Sequence, residues 1–164
     1  MAILEWSEAL ALNVPAMDAT HQEFVDLLAA VEQASDVQLA ARWQALIAHT
    51  EAHFGQEDRW MAQAGFAAGN CHATQHQVVL EVMREGAQHC QQGDLTLVRG
   101  MLPELAAWFA QHAQSMDAAL AQHMASVGLD LASGVLANGQ ALPAVLISGC
   151  GGACAAQHAV GAAA

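Results

Sequence analysis

The chain carries nine histidines against four fixed cations (Arg42, Arg59, Arg84 and Arg99), with no lysine and no tyrosine. Histidine is the commonest metal ligand among side chains, so the spacings of these nine decide what chemistry is open. His53 and Glu57 are four residues apart, and so are His72 and His76. On a helix such pairs sit one turn above each other on one face and reach the same small volume. His21, His112 and Asp117 complete a set of seven. Imidazole nitrogen suits iron, copper and zinc, and a carboxylate can bridge two cations while cancelling part of their charge. Without a metal, seven such groups in a core would be very costly, and each would have to find a partner by chance. A metal centre held by His21, His53, Glu57, His72, His76, His112 and Asp117 is therefore expected.

The other histidines and the cysteines receive blander expectations. His49 lies one turn before His53 and mimics a ligand pair, and His123 lies more than a turn beyond Asp117; both are expected beside the centre or on the surface. His89 and His158 have no partner spacing and are expected to face solvent. Cys71 adjoins His72 and, like Cys90, is expected to be a small buried apolar side chain. Cys150-Gly-Gly-Ala-Cys154 lacks the two-residue spacing of thioredoxin-type and zinc motifs, which places it in an unstructured tail.

The elements that must position the seven are helices. Strand-like alternation is nearly absent, and alanine, leucine, glutamine and glutamate dominate. A first helix is expected from about Asp18 to Ala34, with Met17, His21, Phe24, Leu28 and Val31 on one seam and Asp18 as its cap. A second runs from about Val37 to Ala64 and is ended by Gly65. A third runs from about Cys71 to Gln92. A fourth runs from about Leu95 to Ala125, capped by Asp94, with Pro103 kinking it or marking its true start. Short loops make consecutive helices antiparallel, so the fold class is all-α, an up-down-up-down four-helix bundle. Residues 1–17 form an arm that carries Trp6 across the bundle. The bundle domain spans 1–125, and 126–164 form a loosely ordered tail rich in glycine and alanine. One spacing is awkward. His112 and Asp117 are five apart, about 500° of ideal helical rotation, which leaves them roughly 140° apart. A local widening such as a π-bulge is expected between them.

The segments Asp18-Ala-Thr-His21, His53-Phe-Gly-Gln-Glu57, His72-Ala-Thr-Gln-His76 and Trp108-Phe-Ala-Gln-His112 with Asp117 resemble the motifs of the hemerythrin family, in the family's order, across about Trp6 to Met124. The resemblance implies two non-heme irons, cycling between Fe2+ and Fe3+, with an oxo or hydroxo bridge. His72, His76 and His112 would bind one iron and His21 and His53 the other, which keeps an open position, while Glu57 and Asp117 bridge the two. The implied function is reversible binding of molecular oxygen in a dry pocket walled by Phe24, Phe54, Trp108 and Phe109, without enzymatic turnover. Asp58 stands where relatives commonly have a second glutamate, and Phe109 where a leucine is common. The alternatives are a di-iron oxidase or peroxidase, an oxygen or redox sensor or iron-handling module, and a metal-free interaction bundle. The absence of any Glu-x-x-His motif counts against the ferritin-like enzymes.

A formal charge of −12 argues against nucleic-acid and membrane-surface partners, since phosphates and anionic headgroups would be repelled. No protein partner can be named. The N-terminal residues lack the basic region of a signal peptide, since Glu5 and Glu8 interrupt the apolar ones. Asn138, Gln140, Pro143 and repeated glycines break the uncharged stretch from Leu131 to Ala164 well short of a membrane span. Four cysteines without a signal peptide point to free thiols and a cytoplasmic location.

Overall fold

The computed structural model describes residues 2–137 and 141–149. Four helical rods account for most of them. They are α1 (Pro15–Glu32), α2 (Asp36–Gln63), α3 (Cys71–Gln91), and a fourth rod made of α4 (Leu95–His112), a π-helical turn (Ala113–Asp117) and α5 (Ala118–Val127). The described residues contain two isolated β-bridges and no strand. No helix among them is long and apolar enough to cross a membrane.

Local chemistry sets the ends of the rods. Helix α1 begins at Pro15, whose fixed φ suits a first helical position, with Val14 before it as the cap residue. The expected cap, Asp18, instead lies inside the first turn, and its carboxylate accepts the N–H of Leu12 at 2.7 Å, tying the arm to the helix. At the start of α2, the Gln38 carboxamide accepts from the Ser35 N–H at 3.2 Å and from its Oγ at 2.9 Å. Gly65 follows the end of α2 at φ +90°, a conformation open to glycine. Asn70 caps α3 by accepting the Ala73 N–H at 3.0 Å. Asp94 precedes α4 but its carboxylate pairs with His89 at 3.1 Å, so it does not cap with its side chain. Pro103 lies well inside α4 on the exposed face, so it does not mark the start of that rod.

The core is two apolar clusters with a polar belt between them. One cluster gathers Phe24, Leu28, Trp43, Leu46, Met83 and Leu102 with their neighbours; the other gathers Met17, Trp60, Met61, Leu120, Met124 and Val127 with theirs. Helix α1 runs from the second cluster to the first, α2 returns, α3 goes out again, and α4–α5 returns. This alternation is the up-down-up-down arrangement. Trp6 in the N-terminal arm packs against the first cluster. On each rod the switch between clusters falls at the same level, and there the seam changes from hydrocarbon to imidazole and carboxylate.

Trp43 anchors the first cluster. It is fully buried, and its indole N–H donates to the Met83 carbonyl at 2.9 Å, joining α2 to α3. We expect Trp43→Ala to lower the unfolding free energy by about 3–5 kcal/mol, read from urea denaturation followed by circular dichroism. Trp43→Phe keeps most of the buried ring but removes the bond to the Met83 carbonyl, which retains its helical partner, for an expected loss of about 1–3 kcal/mol from that bond and the lost volume.

Candidate metal centre

All seven residues singled out in the sequence lie in the polar belt, and each is less than a twentieth exposed. Helix α1 brings His21, α2 brings His53 and Glu57, and α3 brings His72 and His76. The fourth rod brings His112 at the end of α4 and Asp117 at the end of the π turn. The π turn is the widening that the five-residue spacing demanded. One extra residue per turn keeps both side chains on the inner face, where regular α-helix would separate them.

Two overlapping groups emerge. Glu57, His72, His76, His112 and Asp117 each offer a donor atom, and these all lie within 4.8 Å of one another; His21, His53, Glu57 and Asp117 do the same. The two carboxylates belong to both groups. Asp117 Oδ1 is 3.0 Å from His72 Nε2 and 3.1 Å from His112 Nε2, while Oδ2 is 3.2 Å from His21 Nε2. Glu57 Oε1 is 3.2 Å from His53 Nε2, and Oε2 is 3.3 Å from His76 Nε2.

These atoms are close, but several are not aligned as hydrogen bonds. Among the described residues, both Asp117 oxygens, Glu57 Oε2, His72 Nε2, His53 Nδ1 and both nitrogens of His21 are buried without a hydrogen-bond partner. Each orphan costs about 1–3 kcal/mol. Seven add up to a cost comparable to the whole stability of a domain, about 5–15 kcal/mol. Cations placed among these atoms would remove that cost for the carboxylate oxygens and the inward-facing Nε2 atoms.

The tautomers give a second test of fit. His76 Nδ1 faces Asp58 Oδ1 at 3.2 Å, and His112 Nδ1 faces Gln75 Oε1 at 3.4 Å. With Nδ1–H donating outward to those oxygens, each Nε2 turns a lone pair inward, and the two Nε2 atoms are 3.2 Å apart. Two facing lone pairs at that distance repel unless a cation takes both. An outer oxygen that fixes the tautomer is the usual support of a metal-bound histidine. Asp58 and Gln75 were not singled out as functional in the sequence. Their signal was adjacency, since each is chain neighbour to one of the seven, Glu57 or His76.

The electrostatics agree. Burial alone would push the His21 and His72 imidazoles down, but Asp117 and Glu57 outweigh it and raise both to about 9. Burial likewise opposes the upward shift of His76, which Asp58 and Glu57 produce. His112 is the exception, held below its ordinary value chiefly by burial. Burial would raise Glu57, yet His21, His53, His72 and His76 hold it well below the usual carboxylate range. Burial and the charge of Glu57 work against ionisation of Asp117, and His112, His21 and His72 overcome them. Both carboxylates stay charged in the core and draw positive charge to themselves. Metal ions would meet that demand in place of protons.

Aromatic rings wall the belt. Phe54 stacks flat on His76 at 3.9 Å and Trp108 on His112 at 4.5 Å; Phe109 meets His21 edge-on at 5.3 Å and stacks on Phe24 at 4.2 Å. A cavity of about 180 Å3 opens beside His53 and Glu57, between α1 and α2, lined also by Met17, Thr20, His49 and Trp60. A larger hollow of about 440 Å3 lies outside His112, between α3 and α4.

The remaining histidines sit outside both donor groups. His49 Nε2 bonds the Thr20 carbonyl at 3.1 Å and His123 Nε2 the Ala64 carbonyl at 2.8 Å. His89 is partly exposed, and His158 lies outside the described residues. The cysteines require a correction. Cys90 is a free buried thiol, as expected, but Cys71 is disulfide-bonded, so the inference of free thiols and a reducing compartment does not hold for it. Cys150 and Cys154 lie outside the described residues.

Comparison with known proteins places this geometry. The family described as Hemerythrin HHE cation binding domain matches residues 12–123, a span that contains all seven belt residues. A protein named Bacteriohemerythrin from Ralstonia nicotianae is 42% identical over 130 residues, covering 79% of this chain and 95% of the relative. A second Bacteriohemerythrin, from Stenotrophomonas maltophilia, is 24% identical over 128 residues, covering 76% of this chain and 83% of the relative. The chain therefore belongs to the hemerythrin family.

Proposed function

We propose that this protein binds molecular oxygen reversibly at a pair of non-heme iron ions and acts as a carrier, store or delivery protein rather than an oxidase. The observation that carries this reading is the pair of donor groups that share Glu57 and Asp117 but differ in histidine count, three against two. In this assignment His72, His76 and His112 would hold one iron and His21 and His53 the other, with Glu57 and Asp117 offering donors to both. The half with fewer protein donors is the one with room for a small guest. When bound, an iron pair supplies two electrons that dioxygen can share and return as the metals pass between ferrous and ferric.

The side chains set the conditions for that exchange. Glu57 and Asp117 hold fixed negative charge between the metals and reduce the net charge buried in the core. Asp58 and Gln75 hold His76 and His112 in the tautomer that presents Nε2 inward. Phe109, backed by Phe24, covers His21, and Phe54 covers His76, so water is kept from the histidines. Phe109 stands where a leucine is common in the family, and its ring edge lies on the two-histidine side. The cavity beside His53 is small for an organic substrate, since ligand pockets usually measure about 300–1,000 Å3, and this favours a diatomic guest. A donor set dominated by histidine also differs from the glutamate-rich sets of ferritin-like di-iron proteins.

Purification without oxygen, iron counting and visible spectroscopy test the proposal together. Two irons per chain are expected, with an absorption band that appears on oxygenation and fades on degassing. A chain without stoichiometric iron refutes the metal assignment, and sustained oxygen consumption with an added reductant refutes the carrier reading. Stripping the metal should lower the melting temperature by about 10 °C or more, because tightly bound ions stabilise only the folded chain. Asp58→Ala should weaken iron retention about 10–100-fold in competition with a chelator, by freeing the His76 ring. Glu81→Ala, on the exposed face of α3, should leave it unchanged.

A further inference from the structure

The cavity between α1 and α2 joins solvent to the two-histidine side of the belt. Its rim is made by Glu23 and Ala52, both exposed, and its inner end by Met17, His53 and Glu57, all buried. The larger hollow meets the belt at His112, on the three-histidine side. The smaller cavity therefore leads to the half that has fewer protein donors.

His49 stands between rim and inner end. It is partly buried, projects from α2 one turn before His53, and holds its Nε2 at 3.1 Å from the Thr20 carbonyl on α1. A carbonyl only accepts, so Nε2 carries a proton and donates it. The ring thus spans the gap between the two rods, fixed to α2 by its own backbone and to α1 by one bond. Its Nδ1 faces the exposed Glu23 carboxylate at 3.6 Å, too far for a hydrogen bond. Thr20 directly precedes His21, so the tie crosses the gap where the His21 and His53 rings approach each other, with centroids 5.1 Å apart. The Thr20 carbonyl lies inside α1, where the Phe24 N–H already serves it. The His49 bond can therefore open without leaving that acceptor unpaired. A ring held by one such bond is an obstruction that can swing, not a fixed wall.

We propose that His49 gates this route: its bond to the Thr20 carbonyl sets how fast a diatomic guest passes between solvent and the space beside His53 and Glu57, a role that rests on the oxygen-binding reading for the guest's identity and on the cavity for its path. A gate acts on the barrier and not on the bound state. Removing it speeds entry and exit by the same factor and leaves the affinity where it was. A side chain that served only to hold His21 and His53 in place would change the affinity instead.

Two measurements on the full-length chain test this. In the first, association and dissociation rates are recorded on the iron-loaded protein for oxygen and for nitric oxide, which ferrous iron takes up whether or not the protein carries oxygen. His49→Ala should speed both rates about 3–10-fold, the range expected when one hydrogen bond no longer has to open, with unchanged affinity. His49→Gln, whose carboxamide can still donate to Thr20, should restore most of the slow exchange. Ala52→Trp, which adds bulk at the exposed rim, should slow both rates. The second measurement needs no iron. The chain is loaded with zinc, which has no redox chemistry, and its methionine methyls are labelled with carbon-13. Met17 lines the cavity and Met83 lies in the first apolar cluster, and each is 1% exposed. Dissolved paramagnetic oxygen should broaden the Met17 methyl more than the Met83 methyl, and Ala52→Trp should remove the excess. Equal broadening of the two methyls overturns the route. Unchanged rates in His49→Ala, or a change in affinity in place of matched changes in both rates, overturns the gate. Matched rate changes with nitric oxide in a protein that does not bind oxygen reversibly would sink the carrier reading and leave the gate standing.

Discussion

Glu57 and Asp117 lie wholly inside the bundle on different rods, and their charge must be answered there because none of the four arginines is buried. Arg84 pairs with Glu51 and Arg99 with Asp36, both at the surface, and Arg59 bonds the exposed Gln56 carboxamide. The interior supplies imidazole instead, from every rod. An isolated buried carboxylate would take up a proton, but five histidines around two carboxylates keep both ionised and make a site that attracts cations. The rest of the fold accommodates this belt. Apolar clusters close it off on both sides along the rods, and aromatic rings seal it between them.

The π turn shows how far the backbone yields to the same constraint. A regular helix from His112 onward would aim Asp117 away from the belt and leave one face of the centre without its second shared carboxylate. The extra residue in the turn weakens local hydrogen bonding, a cost tolerated where packing over-determines the conformation. Ala113, Met116 and Asp117 are buried while Gln114 and Ser115 are exposed. The turn thus bulges toward solvent and keeps its inner face continuous with α4 and α5.

Much of this was legible because periodicity and spacing are consequences of helix geometry. The seam of α1 through His21, Phe24, Leu28 and Val31 and the four-residue pairs on α2 and α3 specify the rods and their inner faces before any tertiary contact is known. The misfit at 112–117 was equally informative, since it required a local departure from the α-helix that the structure contains. Features that depend on contacts between distant residues were not legible. Asp18 has the composition of a cap, but Pro15 starts the helix earlier and leaves its carboxylate to hold Leu12. Asp94 stands at a cap position, but His89 takes its carboxylate. Asp58 and Gln75 matter through the ring nitrogens they face. Cys71 looked like a small apolar residue because nothing in its local sequence marks it as disulfide-bonded.

The two halves of the belt also differ in support, and this follows from packing rather than composition. On the three-histidine side, Asp58 and Gln75 fix two rings from outside. On the two-histidine side, both nitrogens of His21 and Nδ1 of His53 have no hydrogen-bond partner among the described residues. Those rings are positioned instead by Phe109 and Phe54 and by the shared carboxylates. Rings fixed by directional hydrogen bonds resist reorientation, whereas rings held by aromatic contact can shift slightly at little cost. The more rigid half lies where three histidines converge, and the more adaptable half lies beside the small cavity between α1 and α2.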